Sequence, residues 1–346
     1  MSDDLFKGKG LSGLLNLGNT CYLNSAVQCL SNTLILTKYF LNDKYLEDIN
    51  ETKIESKLVF QWRRLIEHIW NMNQMIKPAS FNKIVYYLST KLGYSVTFGL
   101  SRQNDVQEFL LFIINTLHEG LSSEVIIKIS GKVLNPLDKF ALGAMKQWKN
   151  HFKDSHSVII DIFYSQLFSL TQCPDCPNVS IVYNPICYYI LPIPMIRDRE
   201  ITLDDCFKKF TENEILDNNN KWYCEKCNMK KNASKRVLLW STPKILIICL
   251  KRFKNNKKIT NKISFPKEGL DLKEYCIGYD KHDSKYELYG ICNHTGNLYG
   301  GHYYAYCKNI NSKWYEYNDE RVREMNQNES VVTNNAYCLF YRKVNL

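Results

Sequence analysis

Leu17-Gly-Asn-Thr-Cys21 and Gly300-Gly-His-Tyr303 set a thiol and an imidazole, each preceded closely by glycine, near opposite ends of the chain. Together they could supply a nucleophile and a base. A cysteine thiol has a free pKa of about 8.5, and a histidine neighbour or a helix N-terminus lowers it to roughly 3.5–7.5. Both devices are available. After Cys21 the apolar residues Leu23, Ala26, Val27 and Leu30 fall three and four apart, which predicts an amphipathic helix opening at Cys21, where the helix dipole favours an anion. His302 is remote in sequence, so the fold must bring it to the thiol.

A base of this kind needs an orienting partner. On an extended strand His302, Tyr304 and Tyr306 share one face and Tyr303, Ala305 and Cys307 the other; the next strand carries Trp314, Glu316 and Asn318 opposite Tyr315, Tyr317 and Asp319. A hairpin turning symmetrically at Ile310 would set Tyr306 against Trp314, Tyr304 against Glu316 and His302 against Asn318. A slip of one residue would bring Asp319 to the imidazole instead, and the spacing leaves the two open. Either side chain would fix the ring's tautomer and orientation. For an oxyanion, the backbone amide of Cys21 is one donor and the side chain of Asn16 another, while Asn19 equally fits a turn position.

Cys173-Pro-Asp-Cys176 and Cys224-Glu-Lys-Cys227 are two Cys-x-x-Cys knuckles beside strand-like segments. Four thiolates close a tetrahedral Zn2+ shell with no position left for water, so this zinc would be structural. The remaining cysteines mostly occupy apolar positions and read as packing residues.

The elements that must hold these groups fall into two halves. Leu58, Trp62, Leu65, Ile66 and Ile69 form one helical stripe, and Val106, Phe109, Leu110, Ile113, Ile114 and Leu117 another; Ser80 fits the N-cap of a helix carrying Ile84, Val85 and Leu88. Beyond a surface loop at Leu121 to Phe152 the pattern turns to strands, read at Val158 to Leu170, Ile245 to Leu250, Tyr286 to Cys292, His302 to Cys307, Lys313 to Tyr317 and Ala336 to Arg342. This is an α+β plan. With 346 residues and 45% hydrophobic content the chain can bury a large core. Met1 to Gly10 is a polar tail without the apolar run of a signal peptide, and no segment approaches the roughly 20 apolar residues of a membrane span. Thirteen cysteines, an odd number scattered through apolar strands, do not form a secreted disulfide framework, so an intracellular protein is expected, cytoplasmic or nuclear and monomeric. The net charge of +10 is not concentrated enough to predict nucleic-acid binding, because its densest stretch, Lys251 to Lys262, reads as a solvated hairpin tip.

The segments Gly13-Leu-Leu-Asn-Leu-Gly-Asn-Thr-Cys-Tyr-Leu-Asn-Ser25, Gln103-Asn-Asp-Val-Gln-Glu-Phe109, Leu250-Lys-Arg-Phe253, Tyr286-Glu-Leu-Tyr, Gly300-Gly-His-Tyr-Tyr-Ala-Tyr306 and Trp314-Tyr-Glu-Tyr-Asn-Asp319 stand in an order that resembles the ubiquitin-specific proteases. The resemblance implies a papain-like cysteine protease fold over residues 11–346, with a helical thumb at about 11–125, fingers and a β palm at about 157–346, and the zinc-ribbon region at about 165–245. It further implies a thiol deubiquitinase with ubiquitin and its conjugates as partners: Cys21 the nucleophile, His302 the general base, Asn318 the orienter, Asn16 the oxyanion donor and Asp319 an assisting acid. Asp105 and Glu108 match the acidic position that grips the arginines of ubiquitin's tail, although Asp105 also fits a helix N-cap. Gly301 and Tyr303 would wall a channel that admits only Gly-Gly, or the glycines serve only the start of the strand. Cys249 stands where the family usually has His, and Ser165-Gln166 replaces a common Gly-Gln.

Overall fold

The computed structural model describes residues 6–99, 102–254, 256–297 and 300–345. The two helical stripes become the helices Ser56–Met72 and Val106–Leu121, which pack on each other with every stripe residue buried. Ala79–Lys91 packs against the first of them. Its N-cap is Pro78 rather than Ser80: the carbonyl of Pro78 accepts from Asn82 N–H at 2.9 Å, so the helix is already under way at Ser80. The polar N-terminal segment folds back from Phe6 onward, with the Phe6 ring edge-on to Trp70 at 5.4 Å and the Gly10 carbonyl accepting from Tyr317.

Two readings of the middle of the chain are corrected. Val158–Phe163 is a helix, capped by Ser157 Oγ at 3.2 Å from Ile159 N–H, and the strand begins only at Ser165. The β-branched run suggested a strand, but a cap and burial of Ile159, Ile160, Ile162 and Phe163 override that preference. The supposed loop after Leu121 contains the helix Pro136–Phe152, started by a reciprocal capping box between Asn135 and Asp138 with proline at the first turn.

The palm is a mainly antiparallel sheet whose strands run, side by side, Arg321–Glu324, Trp314–Asn318, Gly300–Lys308, Lys285–Asn297, Ala336–Lys343, Ile245–Lys251 and Tyr189–Pro192; Leu270–Asp271 adds to Lys285–Asn297. Both faces are covered. Ile247, Cys249 and Phe340 point into the core shared with the helices, while Leu246, Ile248 and Tyr341 point into a second core that includes Phe207 on the Leu203–Phe210 helix. This explains the unbroken apolar run Ile245 to Leu250. The basic stretch forms the small Phe253–Lys254 and Lys257–Lys258 hairpin, but it is not wholly solvated. Arg252 is fully buried and donates to the carbonyls of Ala336, Ile259 and Asn261, tying the hairpin to the palm; Asn255 lies outside the described residues.

The fingers are a separate four-stranded antiparallel sheet in the order Val179–Ile186, Ser165–Gln172, Ala233–Leu239, Glu214–Leu216. The first Cys-x-x-Cys knuckle joins two of these strands, and the second lies in the hairpin of Trp222–Cys224 with Met229–Lys231.

Candidate active site

Cys21 opens the helix Cys21–Ser31, which packs against the Gly300–Lys308 strand and against Val106–Leu121. The approach turns through two left-handed residues, Gly18 at φ 101° and Asn19 at φ 53°. Asn19 therefore occupies a turn position. Asn16 Oδ1 holds the turn by accepting from the N–H groups of Gly18 at 3.0 Å and Thr20 at 3.1 Å. The helix is not amphipathic in place, because all its residues are buried. Its polar side chains reach neighbouring segments: Asn24 donates to the Leu14 carbonyl, Gln28 to the Ser12 carbonyl, and Ser31 accepts from Trp70. Cys21 itself is only 4% exposed.

The strand carrying His302 pairs with its neighbour as Ala305 to Tyr317, Tyr306 to Glu316, Cys307 to Tyr315 and Lys308 to Trp314. That register is two residues away from a symmetric turn at Ile310, because Asn309 N–H bonds the Lys313 carbonyl and left-handed Ser312 closes the turn one position later. An even shift keeps every side chain on its expected face. His302 consequently has no residue directly across from it in this ladder, and it reaches diagonally to Asn318, whose Oδ1 lies 2.7 Å from His302 Nε2. An amide oxygen only accepts, so Nε2 carries a hydrogen and Nδ1 is the nitrogen left for Cys21. A hydrogen bond with Cys21 is the largest influence on the imidazole; burial opposes it, and the Asn318 bond and the charges of Cys21 and Asp319 add to it. The result pushes His302 up from 6.5 to about 9.

Asp319 does something other than touch the ring. It sits at φ 50°, its Oδ2 accepts from Asn16 Nδ2 at 2.9 Å, its Oδ1 accepts from Asn24 Nδ2 at 2.8 Å, and its carbonyl accepts from Leu14 N–H at 2.8 Å. One carboxylate thus fastens the palm to the loop before Cys21 and to the helix after it. Sequence reasoning missed Asn24, although its position three residues after Cys21 on a helix would place it one turn beyond the thiol. The junction is tight: a Cβ on Gly13 would fall 2.1 Å from the Glu320 carbonyl oxygen.

On the cleft side Asp105 is the N-cap of Val106–Leu121, accepting from Gln107 N–H at 2.7 Å, and its second oxygen accepts from Tyr337 OH at 2.7 Å. Burial raises its carboxyl above the usual range, and both hydrogen bonds work against that. Glu108 lies exposed in the first turn. At Gly301 a side chain has no room, since a Cβ would meet the Thr295 carbonyl oxygen at 2.1 Å and His294 Nε2 at 2.3 Å. Tyr303 lies on His294 with ring centroids 4.5 Å apart, and the two help line a cavity of about 210 Å³ with Asn104, Asp105 and Phe253. Cys249, the departure from the family's His, packs in the core with its Sγ 3.1 Å from that of Cys338 on the adjacent strand. Ser165, the second departure, is buried with its Oγ 2.7 Å from the Tyr189 hydroxyl, so it also serves packing.

At the finger tips the sulfurs of Cys173, Cys176, Cys224 and Cys227 all lie within 4.8 Å of one another. Cys173 to Cys227 is 3.9 Å and Cys176 to Cys224 is 3.6 Å. A tetrahedron with metal–sulfur bonds of about 2.3 Å has edges of about 3.8 Å, so the four thiols fit a metal ion. Among the described residues no helix is long and apolar enough to cross a membrane.

The sequence pattern of the family described as ubiquitin carboxyl-terminal hydrolase matches residues 12–341, and the chain belongs to that family. Ubiquitin carboxyl-terminal hydrolase 2 of Bos taurus is 36% identical over 343 residues, covering 96% of this chain and 55% of the relative. The Drosophila melanogaster protein named ubiquitin carboxyl-terminal hydrolase Usp2 is 33% identical, covering 97% and 35%. The chain thus spans about half the length, or less, of these curated relatives. Among solved structures, the SAGA Ubp8/Sgf11/Sus1/Sgf73 DUB module bound to ubiquitin aldehyde aligns with a TM-score of 0.73 and 25% identity over 98% of this chain and 70% of that one. The fold is that of the papain-like ubiquitin-specific proteases, with helical thumb, β palm and fingers.

Proposed function

We propose that the chain is a thiol deubiquitinase that hydrolyses the bond after the C-terminal glycine of ubiquitin, releasing it from lysine ε-amines or from other ubiquitins. The observation that carries the reading is the imidazole of His302, its Nε2 held 2.7 Å from Asn318 Oδ1 and Cys21 the foremost influence raising its pKa. Cys21 sulfur attacks the glycine carbonyl, and the oxyanion is met by the Cys21 backbone N–H and the remaining N–H of Asn16 Nδ2. His302 delivers its proton to the leaving amine, a thioester is left on Cys21, and His302 then takes a proton from the water that resolves it. Asp105 and Glu108 face the tail's arginines, with Gly301 and Tyr303 forming the channel for Gly-Gly. A ubiquitin probe with an electrophilic C-terminus tests this directly: mass spectrometry should find it on Cys21, and labelling of another residue, or none, rejects the reading.

The active form needs the imidazolium, so kcat/KM should fall as pH rises past about 9, where His302 loses its proton. Because the Asn318 bond is one of the influences raising that value, Asn318→Ala should move this alkaline limb to lower pH and cost roughly tenfold at neutral pH. A pH profile superimposable on the parent's would remove Asn318 from the orienting role.

The metal at the fingers is zinc, held by Cys173, Cys176, Cys224 and Cys227, and its role is structural, fixing the two finger hairpins against each other. Purified protein should carry close to one zinc per chain, and Cys224→Ser should lose it and weaken ubiquitin binding while leaving the alkylation rate of Cys21 by a small electrophile unchanged. Metal analysis near zero in the parent protein counts against the site. Unpaired cysteines buried in the core fit an intracellular protein, cytoplasmic or nuclear.

A further inference from the structure

One side chain bridges the cleft without serving the nucleophile, the base or the metal ligands. Gln103 stands on a pinned loop: beside it Asn104 donates to the hydroxyl of Tyr22 at 3.1 Å and to the Thr97 carbonyl at 3.3 Å, and Asp105 caps the helix that follows. Tyr22 is the residue after Cys21, fully buried, so the loop is fixed to the nucleophile's own helix. From there the Gln103 carboxamide reaches the palm. Its Oε1 accepts from Gly301 N–H at 3.2 Å and its Nε2 donates to the Gly301 carbonyl at 3.3 Å.

Taking both backbone groups of one residue is what a neighbouring strand does in an antiparallel ladder. Among the described residues no strand pairs with Gly301 on that side. Pairing with Trp314–Asn318 ends at Ala305, and on its other edge Gly301 is matched to Gly296. Gly301 immediately precedes His302, so an extended peptide bringing its carbonyl to Cys21 along this strand meets the backbone pair that Gln103 already holds. Such a peptide can add to the exposed edge by the same two hydrogen bonds. Gln103 is solvent-exposed, which makes the exchange inexpensive.

We propose that Gln103 is a latch on the substrate cleft: its carboxamide occupies the Gly301 backbone pair in the free protein and is displaced when an extended Gly-Gly tail takes over those bonds. A ligand unable to present a backbone N–H and carbonyl at that point loses two hydrogen bonds and gains none, so the latch selects for extended tails. This inference rests on the deubiquitinase reading above and adds to it a residue that sets tail admission rather than bond cleavage.

The test uses the full chain with Gln103→Ala and with Gln103→Asn, the latter keeping a carboxamide on a stem too short to reach Gly301. With ubiquitin bearing a fluorogenic C-terminal amide, both variants should lower KM by about threefold to tenfold, because less of the enzyme is held closed, with the change carried by KM rather than kcat. Amide hydrogen exchange at Gly301, followed by NMR in the absence of ubiquitin, should be faster in both. A rise in KM in either variant would overturn the latch and make Gln103 a clamp on the bound tail, and unchanged KM together with unchanged Gly301 exchange would overturn it as well. Failure of the parent protein to cleave ubiquitin rejects the deubiquitinase reading instead, and the Gly301 exchange rates then decide by themselves whether the bridge exists.

Discussion

Cys21→Ala should leave a folded protein whose kcat/KM on a ubiquitin C-terminal amide is lower by at least about 10⁴-fold, since both the attacking atom and the covalent intermediate are removed. Folding should be spared: Cys21 lies at the first position of a buried helix, and the change removes a single sulfur atom from it. Circular dichroism and the melting temperature should therefore stay close to those of the parent while probe labelling disappears. Cys21→Ser should behave nearly as badly, because a hydroxyl is a poor nucleophile without the thiol's acidity. Residual cleavage at the parental rate in either variant would move the nucleophile elsewhere.

The second large effect is expected at a residue that does not touch the imidazole. Asp319 holds the Asn16 amide at 2.9 Å, and Asn16 in turn holds the turn before Cys21 through Gly18 and Thr20. Asn16→Ala should lower kcat by about 10²–10³-fold, the usual effect of deleting one oxyanion donor. Asp319→Ala should fall in the same range by releasing Asn16, and the double variant should be little worse than either alone, because both act through one amide. Losses that multiply in the double variant, or an Asn16→Ala enzyme as fast as the parent, would separate the two residues. Asp319→Ala also strips Asn24 of its 2.8 Å acceptor in the interior, so a drop of about 1–3 kcal/mol in stability should accompany the kinetic loss.

These residues were unequally visible in the sequence. Cys21, His302 and the two knuckles announce themselves because their signals are local: glycine before a helix or strand, and thiols two apart. The hairpin after His302 was half legible. Its side-chain parity follows from the pleat, which puts Asn318 on the His302 face, and Asn318 Oδ1 lies 2.7 Å from His302 Nε2. Its register depends on which of several turn formers closes the loop, and Asn309, Asn311 and Ser312 compete for that. The spacing leaves Asn318 and Asp319 as rivals for the imidazole, and the fold uses both, one on the imidazole and the other on Asn16 and Asn24. That outcome depends on a contact across most of the chain and leaves no periodic trace. The helix Pro136–Phe152 is a different case, since the Asn135-Pro-Leu-Asp138 box was present and the weak apolar stripe behind it, with few buried residues, hid it. Val158–Phe163 shows the reverse error, in which side-chain branching was weighed above a capping serine.

The palm sheet is packed on both faces, by the helices on one side and by a second core on the other. Its central strands therefore belong to the part of the molecule that opens last, and the imidazole is mounted at the end of one of them. Heat should then silence the protein through cooperative melting of the whole domain and not through early fraying around the thiol. The site's lifetime on warming would match that of the fold itself.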